Sequence, residues 1–400
     1  MLSTLSHRRG AGTNGHCPRE YVAMSSIAAA EDDPLLATVR RFARAELAPR
    51  AAALDESGGS VAEHLPRLAA LGLLGMNLPE RWGGAGLTAR ALAGAVAEIA
   101  GACAATASMV TAHFLAADAI LLAGDDAIRE RYLPAAAAGR SLGAFALTEP
   151  QTGSNPLDMT TRVTPEGDGV RLRGVKHFIS NGGIADFIVV FAKSDPAAGA
   201  RGIDAFVLDK GIPGLRAAPP EPTMGLRASP IYELQFDCLV PAANRLGPPG
   251  SGFKTALRAL DRGRVEVAAM ALGIAGAALD AAVAWAKERR IDGHALADKQ
   301  GIQWMLADMA TELAAARLLI ERAAELRDAA APFTREAAMA KLFATEAAGR
   351  IVDNALQIHG GYGYSRKLPL ERYARDVRVL RIYEGTSEIQ RNIIARILLQ

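Results

Sequence analysis

The runs Gly143-Ala-Phe-Ala-Leu147, Val170-Arg-Leu172, Phe187-Ile-Val-Val-Phe191, Ala205-Phe-Val-Leu208 and Tyr232-Glu-Leu-Gln-Phe236 decide the fold class. Each is short and β-prone. Turn signals lie between them: Pro165-Glu-Gly-Asp-Gly169, Ser180-Asn-Gly-Gly183 and Ile212-Pro-Gly214. Closely spaced short strands with such turns predict an antiparallel sheet or barrel over residues 141–250.

On either side the texture is helical. Upstream, Leu35, Leu36, Val39, Phe42, Ala43 and Leu47 recur at helical spacing, with Arg40, Arg41 and Arg44 between them. A Gly-rich loop, Pro79-Glu-Arg-Trp-Gly-Gly-Ala-Gly86, breaks that region. Downstream, long helices are predicted over Phe253–Arg289, Lys299–Ala330 and Thr334–His359, punctuated by Gly360-Gly-Tyr-Gly363 and Pro369. Their apolar positions cover much of the circumference, as in a bundle or at a subunit interface. The expected fold is α+β and multidomain. It has an extension at 1–23, a helical domain at 24–140, a β domain at 141–250 and a helical bundle at 251–400.

Composition narrows the function classes. The chain has 400 residues, half of them apolar, with 45 basic and 43 acidic side chains for a net charge of +2. That balance gives no electrostatic footprint for nucleic acid or a membrane surface. Three scattered cysteines, Cys17, Cys103 and Cys238, form no CxxC and fit a reducing compartment. The longest stretch free of Asp, Glu, Lys and Arg, Ile99–Ala117, is Ala-rich and carries Thr106, Ser108, Thr111 and His113, so it reads as a buried helix rather than a membrane span. No P-loop occurs, and no GxGxxG follows a strand. Residues 1–23 hold Arg8, Arg9, Arg19 and a single acid, Glu20. They read either as a transit peptide, implying the mitochondrial matrix, or as an upstream start before Met24, which fits a bacterial cytoplasmic protein. No long amphipathic helix forms there, which favours the second. His113 and His359 lie on apolar helical stretches and read as core histidines; no metal spacing such as HExxH occurs. Trp285 and Trp304 read as packing residues.

The strongest local string is Arg381-Ile-Tyr-Glu-Gly-Thr-Ser-Glu-Ile-Gln-Arg391. With it, in order, stand Thr148-Glu-Pro-Gln-Thr-Gly-Ser154, Gly174-Val-Lys-His-Phe-Ile-Ser-Asn-Gly182, Met224-Gly-Leu-Arg-Ala-Ser229, Leu260-Asp-Arg-Gly-Arg264 and Gln357-Ile-His-Gly-Gly361. Together they make the chain, from about residue 32 to 400, resemble an acyl-CoA dehydrogenase. The resemblance implies an N-terminal helical domain, a central β domain and a C-terminal four-helix bundle. It implies FAD as cofactor, an acyl-CoA substrate oxidised to a trans-2-enoyl-CoA, electron-transferring flavoprotein as acceptor, and a homotetramer built as a dimer of dimers.

Residue by residue, the resemblance makes Glu384 the base that removes the α-proton; a lone loop Glu would read as a solvated carboxylate. Gly263 stands where some relatives carry the base instead. Phe145, Leu147, Thr148, Gly153 and Ser154 match the loop around the flavin ring, with Asn155 where the family has Asp. Phe178, Ile179 and Ser180 match the segment at the flavin edge, where Trp is commoner; Phe178 reads equally as a core strand aromatic. Arg289, Gln300, Gln357, Ile358, Gly360 and Gly361 match contacts to the FAD of a neighbouring subunit, although Asp292-Gly293 replaces the usual Phe-Gly. Thr386 and Glu388 match cofactor contacts of the terminal loop. Ser154, Asp261, Arg264, Gly385 and Arg396 match the substrate side; Asp261 and Arg264 read equally as a surface ion pair at i,i+3. Leu226-Arg-Ala-Ser229, Leu260–Arg264 and Pro332–Lys341 look most like short-chain and short-branched-chain members. A flavin oxidase or monooxygenase on the same fold, and a binding homologue without activity, are the rival readings; the intact YEGT loop counts against both.

Overall fold

The computed structural model describes residues 34–400. The expected extension at 1–23 lies outside them. Helices α1 (Pro34–Phe42), α2 (Ala48–Ser57), α3 (Leu65–Ala70), α4 (Ala89–Ala102), α5 (Ala104–Ala123) and α6 (Asp126–Ala137) come first. Thr88 caps α4 by accepting from the Ala91 N–H, and Asp125 caps α6 by accepting from the Ile128 N–H, each satisfying a backbone donor that the helix cannot. The uncharged stretch from Ile99 spans the α4–α5 junction at Cys103, and α5 is buried for most of its length. Among the described residues two helices, α5 and the later Gly252–Glu288, are long and apolar enough to cross a membrane, but most of each apolar window is buried inside this fold.

Strands β1 (Gly143–Ala146), β2 (Arg162–Glu166), β3 (Gly169–Ser180), β4 (Phe187–Lys193), β5 (Ile203–Asp209), β6 (Leu215–Ala217) and β7 (Ile231–Pro241) form one seven-stranded sheet in the order β1-β4-β2-β3-β7-β6, with β5 on β4. One expectation needs correcting: the sheet is mixed. β1 runs parallel to β4, pairing Gly143 with Phe187 through Ala146 with Val190, and β2 meets β4 in parallel at Arg162 and Lys193. The intervening segment, with β2 and β3, is long enough for the crossover that a parallel pair needs. The remaining pairs are antiparallel.

The chain then forms α7 (Gly252–Glu288), a hairpin of β8 (Arg290–Ile291) and β9 (His294–Ala295), α8 (Gln300–Asp328), α9 (Thr334–His359), α10 (Gly361–Tyr364), α11 (Leu370–Arg378) and α12 (Ser387–Leu398). At 37 residues α7 spans roughly 55 Å and packs against α4, α5, α8 and α9. Small residues allow that close approach: a Cβ on Gly273 would lie 2.1 Å from the Ala97 carbonyl oxygen of α4. The first turns of α7 leave the bundle. There Ala256 and Ala259 share a core with Phe187, Val189 and Phe191 of β4 and Leu115 of α5. Each fully buried Phe contributes about 1.5–3 kcal/mol to that seam. Sheet, α5, α7 and the segment before α12 thus converge on one place. Trp304 is a second correction: it is 61% exposed on α8 rather than packed in the core of the chain. Cys103 and Cys238 are free and buried.

Candidate active site

The segment before α12 makes a reversed turn. Glu384 has φ +52° and Gly385 has φ +91°, so a non-glycine residue is held in left-handed backbone. Three groups hold it there. Lys341 of α9 donates from Nζ to the Gly385 carbonyl at 2.7 Å, and Gln390 of α12 donates to the same oxygen at 2.8 Å and to the Glu384 carbonyl at 3.2 Å. Ser387 Oγ and Arg381 Nη1 both donate to Glu346 of α9, at 2.6 and 3.2 Å. Thr386 spends its hydroxyl on capping α12, accepting from the Ile389 N–H at 3.4 Å.

The turn sends the Glu384 side chain across α7 at Gly263. A Cβ there would stand 2.2 Å from Glu384 Oε2, so the missing side chain makes the space for the carboxylate. The residue keeps some exposure to the cavity beside it, whereas Oε2 is sealed and has no hydrogen-bond partner. Burial pushes this carboxyl up to about 7; Lys341 and Arg264 pull it back down. Arg264 is buried and pairs with Asp261 one turn earlier, and Asp261 also accepts from Thr334 Oγ1 at 2.6 Å. The pair is therefore interior rather than a surface pair.

Glu384 opens onto a cavity of about 880 Å³. Phe145 lines it from β1, Leu147, Thr148, Gly153 and Ser154 from the loop after β1, and Phe178, Ile179 and Ser180 from the end of β3. Asp261, Arg264, Glu384, Gly385 and Arg396 line it from the bundle. The β-side loop is pinned by a fully buried ion pair. Lys176 Nζ donates to Glu149 Oε1 at 2.9 Å and to the Leu147 carbonyl at 2.9 Å, while Glu149 also accepts from the Thr160 and Thr161 N–H groups at 2.6 and 2.9 Å. Burial alone would raise the Glu149 carboxyl; Lys176 and these N–H donors hold it down at about 2. Asn155 donates to Asp158 and belongs to the loop's own turn. Phe178 sits at a bulge between Lys176 and Ile179, with φ +57° and 55% exposure. It is not a core strand aromatic.

The other expected cofactor residues are elsewhere. Arg289, Gln300, Gln357, Ile358, Gly360, Gly361, Thr386 and Glu388 do not line this cavity. Arg289, at the end of α7, places its guanidinium 6.0 Å over the Tyr362 ring, beside Trp285 stacked on His359 at 5.0 Å. His359 Nδ1 is hydrogen-bonded to the Ala355 carbonyl, and His113 accepts from the Gly143 N–H, so both are satisfied core histidines at these nitrogens. Asp292 and Gly293 both have positive φ and turn the two-residue β8–β9 hairpin, for which Asp-Gly is well suited. Glu388 is exposed. Among the described residues, no cluster of His, Cys, Asp and Glu could hold a metal ion.

Sequence reasoning missed Lys341, Gln390, Ser108 and Thr111; the last two line the cavity from α5. For Lys341 there was a signal: it falls in register with the buried Ala337, Ala344 and Ala348 of α9.

Family models for acyl-CoA dehydrogenases match the chain in three pieces: the N-terminal domain at residues 29–140, the middle domain at 144–239 and the C-terminal domain at 250–399. This chain belongs to the acyl-CoA dehydrogenase family. Its relatives include an acryloyl-CoA reductase (NADH) of Anaerotignum propionicum, 45% identical over 369 residues, covering 92% of this chain and 94% of the other. They also include the human mitochondrial short-chain specific acyl-CoA dehydrogenase, 42% identical over 403 residues, covering 99% and 98%. The solved butyryl-CoA dehydrogenase of Megasphaera elsdenii shares the fold at TM-score 0.90 and 40% identity, covering 92% and 97%. Acyl-CoA dehydrogenases are FAD-dependent oxidoreductases.

Proposed function

We propose that this acyl-CoA dehydrogenase oxidises a short acyl-CoA to its trans-2-enoyl-CoA, with Glu384 as the base that takes the α-proton. The observation that carries the reading is Glu384 Oε2, unpartnered and sealed in the space left by Gly263, on a residue that opens to the cavity. A carboxyl held near neutrality is matched to proton removal at physiological pH. The Glu384 N–H is the donor we assign to the thioester oxygen, whose developing charge needs a fixed dipole.

FAD fits the β-side wall. Gly153 is nearly open, with only the Thr148 methyl within 4 Å of a Cβ built there, and Thr148, Ser154 and Ser180 offer hydroxyls to a ring system. When bound, FAD supplies the hydride acceptor that no side chain can. The chain's own residues bind and orient: the pinned loop and Phe178 hold the ring, and Arg396 with the Asp261–Arg264 pair faces the CoA end. The exposure of Phe178 supports electron-transferring flavoprotein as the partner that meets the ring's edge. Arg289, Gln300, Gln357, Gly360 and Gly361, remote from the cavity, would reach the FAD of a second copy, giving a homotetramer. Relatives occur in bacteria and mitochondria; a bacterial cytoplasmic setting is our reading. The acryloyl-CoA reductase relative favours a second reading, the same chemistry run backwards, in which protonated Glu384 returns the α-proton.

Glu384→Gln tests the assignment. FAD should stay bound while flavin reduction by substrate falls by roughly 10²–10⁴-fold. Near-normal reduction would move the base to another residue.

A further inference from the structure

Lys341 is a buried cation with no part in the scheme above. Its side chain is 0% exposed, and its hydrogen bond goes to a main-chain oxygen, that of Gly385 at 2.7 Å. Packing does not explain it. Its neighbours on the inward face of α9 are Ala337, Ala344 and Ala348, and a methionine would fill the same channel without desolvating a charge. Burial lowers its ammonium to about 8, with Glu384 as the largest opposing influence.

The charges around Glu384 are few. Lys341 comes from α9; Arg264 and Glu266 come from α7; Tyr383 adjoins it in the turn. Arg264 is already engaged by Asp261. Glu266 is buried, with no hydrogen bond to either oxygen, and faces Arg327 Nη1 at 3.6 Å; burial and nearby Asp118 raise its carboxyl well above its ordinary value, against the pull of Arg327 and Arg262. The Tyr383 hydroxyl, contacting Met270 Sδ, is raised by burial and is neutral. Around Lys341 itself stand Glu384, Arg264, Glu346 of the same helix and Glu388 of α12. Glu346 is taken up by Arg381 and Ser387, and Glu388 is exposed. Lys341 thus forms no ion pair among the described residues, and its one hydrogen bond lands on the residue next to Glu384.

We propose that Lys341 is a positioning residue for Glu384: one ammonium holds the Glu384–Gly385 turn in its left-handed backbone and keeps the adjoining carboxylate ionised. The inference rests on the reading of Glu384 as the base. No covalent step is involved; Lys341 acts through charge and one hydrogen bond.

The test reads Glu384 directly, without turnover. In the FAD-loaded protein the infrared carbonyl band of a protonated carboxyl is followed against pH, and Glu384→Gln identifies which band belongs to this residue. Lys341→Met removes charge and donor, Lys341→Gln keeps a donor, and Lys341→Arg keeps charge. The wild-type midpoint should lie at about 7. It should rise by about one unit or more in the Met and Gln variants and stay put in Arg, since a close opposite charge moves a carboxyl by that amount. At pH 7 the ionised fraction, and with it the rate of flavin reduction, would then fall roughly five-fold and recover at higher pH. An unmoved midpoint in Lys341→Met overturns the proposal. If that variant does not fold, an unmoved midpoint in Lys341→Gln overturns it equally. Failure of every acyl-CoA to reduce wild-type flavin would sink the functional reading instead, leaving the infrared result to stand on its own.

Discussion

At Glu384 backbone and side chain are both held away from their relaxed states. Left-handed φ at a non-glycine residue costs about 1–3 kcal/mol, and the sealed Oε2 adds a desolvation cost. Neighbours offset both through fixed contacts, from Lys341, Gln390 and the gap at Gly263. Gly263→Ala should therefore hurt function more than stability. The new methyl must displace the carboxylate from its 2.2 Å position, and a misplacement of about 1 Å can cost on the order of 10²-fold in rate. Stopped-flow flavin reduction beside a thermal melt separates the two effects; a wild-type rate in this variant would contradict the geometry. Glu384 as a candidate was legible from its string. The role of Gly263 in accommodating it was not, because the two positions meet only through the packing of α7 against the terminal turn.

Among the elements, the loop after β1 depends on the buried Lys176–Glu149 pair. Glu149→Gln leaves Lys176 charged and uncompensated, which should destabilise by about 3–5 kcal/mol. An unchanged denaturant midpoint would contradict this. The pH dependence has a definite sign. The Glu149 carboxyl is depressed from 4.5 to about 2, so its stabilisation is complete above pH 4.5 and is lost as pH falls toward 2. The gap between wild type and variant should close in that window. Long helices were the most legible elements: the pattern over Thr334–His359 is α9 itself, and Phe253–Arg289 differs from α7 by a residue at each end. β2 and β6 carried no signal, since Val163 alone is buried on β2 and no residue of β6 is. The parallel β1–β4 pair was equally hidden, because each strand's pattern is blind to the direction of its neighbour.

For the whole molecule, the expected cofactor residues separate into those that line the cavity, those near the far end of α7, and Thr386 and Glu388 at the start of α12. On the proposed reading, the second group would serve the FAD of a second copy. Arg289→Ala should lower FAD content and loosen the oligomer together, read by absorbance and by sedimentation. Full FAD content in an intact tetramer would remove Arg289 from the site. Domain order, cofactor class and much of the cavity wall were legible because ordered strings of residues survive in sequence; the α5 side of that wall, Ser108 and Thr111, was not, since it belongs to no such string. Short-chain acyl-CoA dehydrogenation is tested most directly by titrating the purified protein with butyryl-CoA without oxygen. The visible flavin band should bleach as the thioester is added. A yellow protein left unbleached by butyryl-CoA and by other straight or branched acyl-CoAs would contradict it.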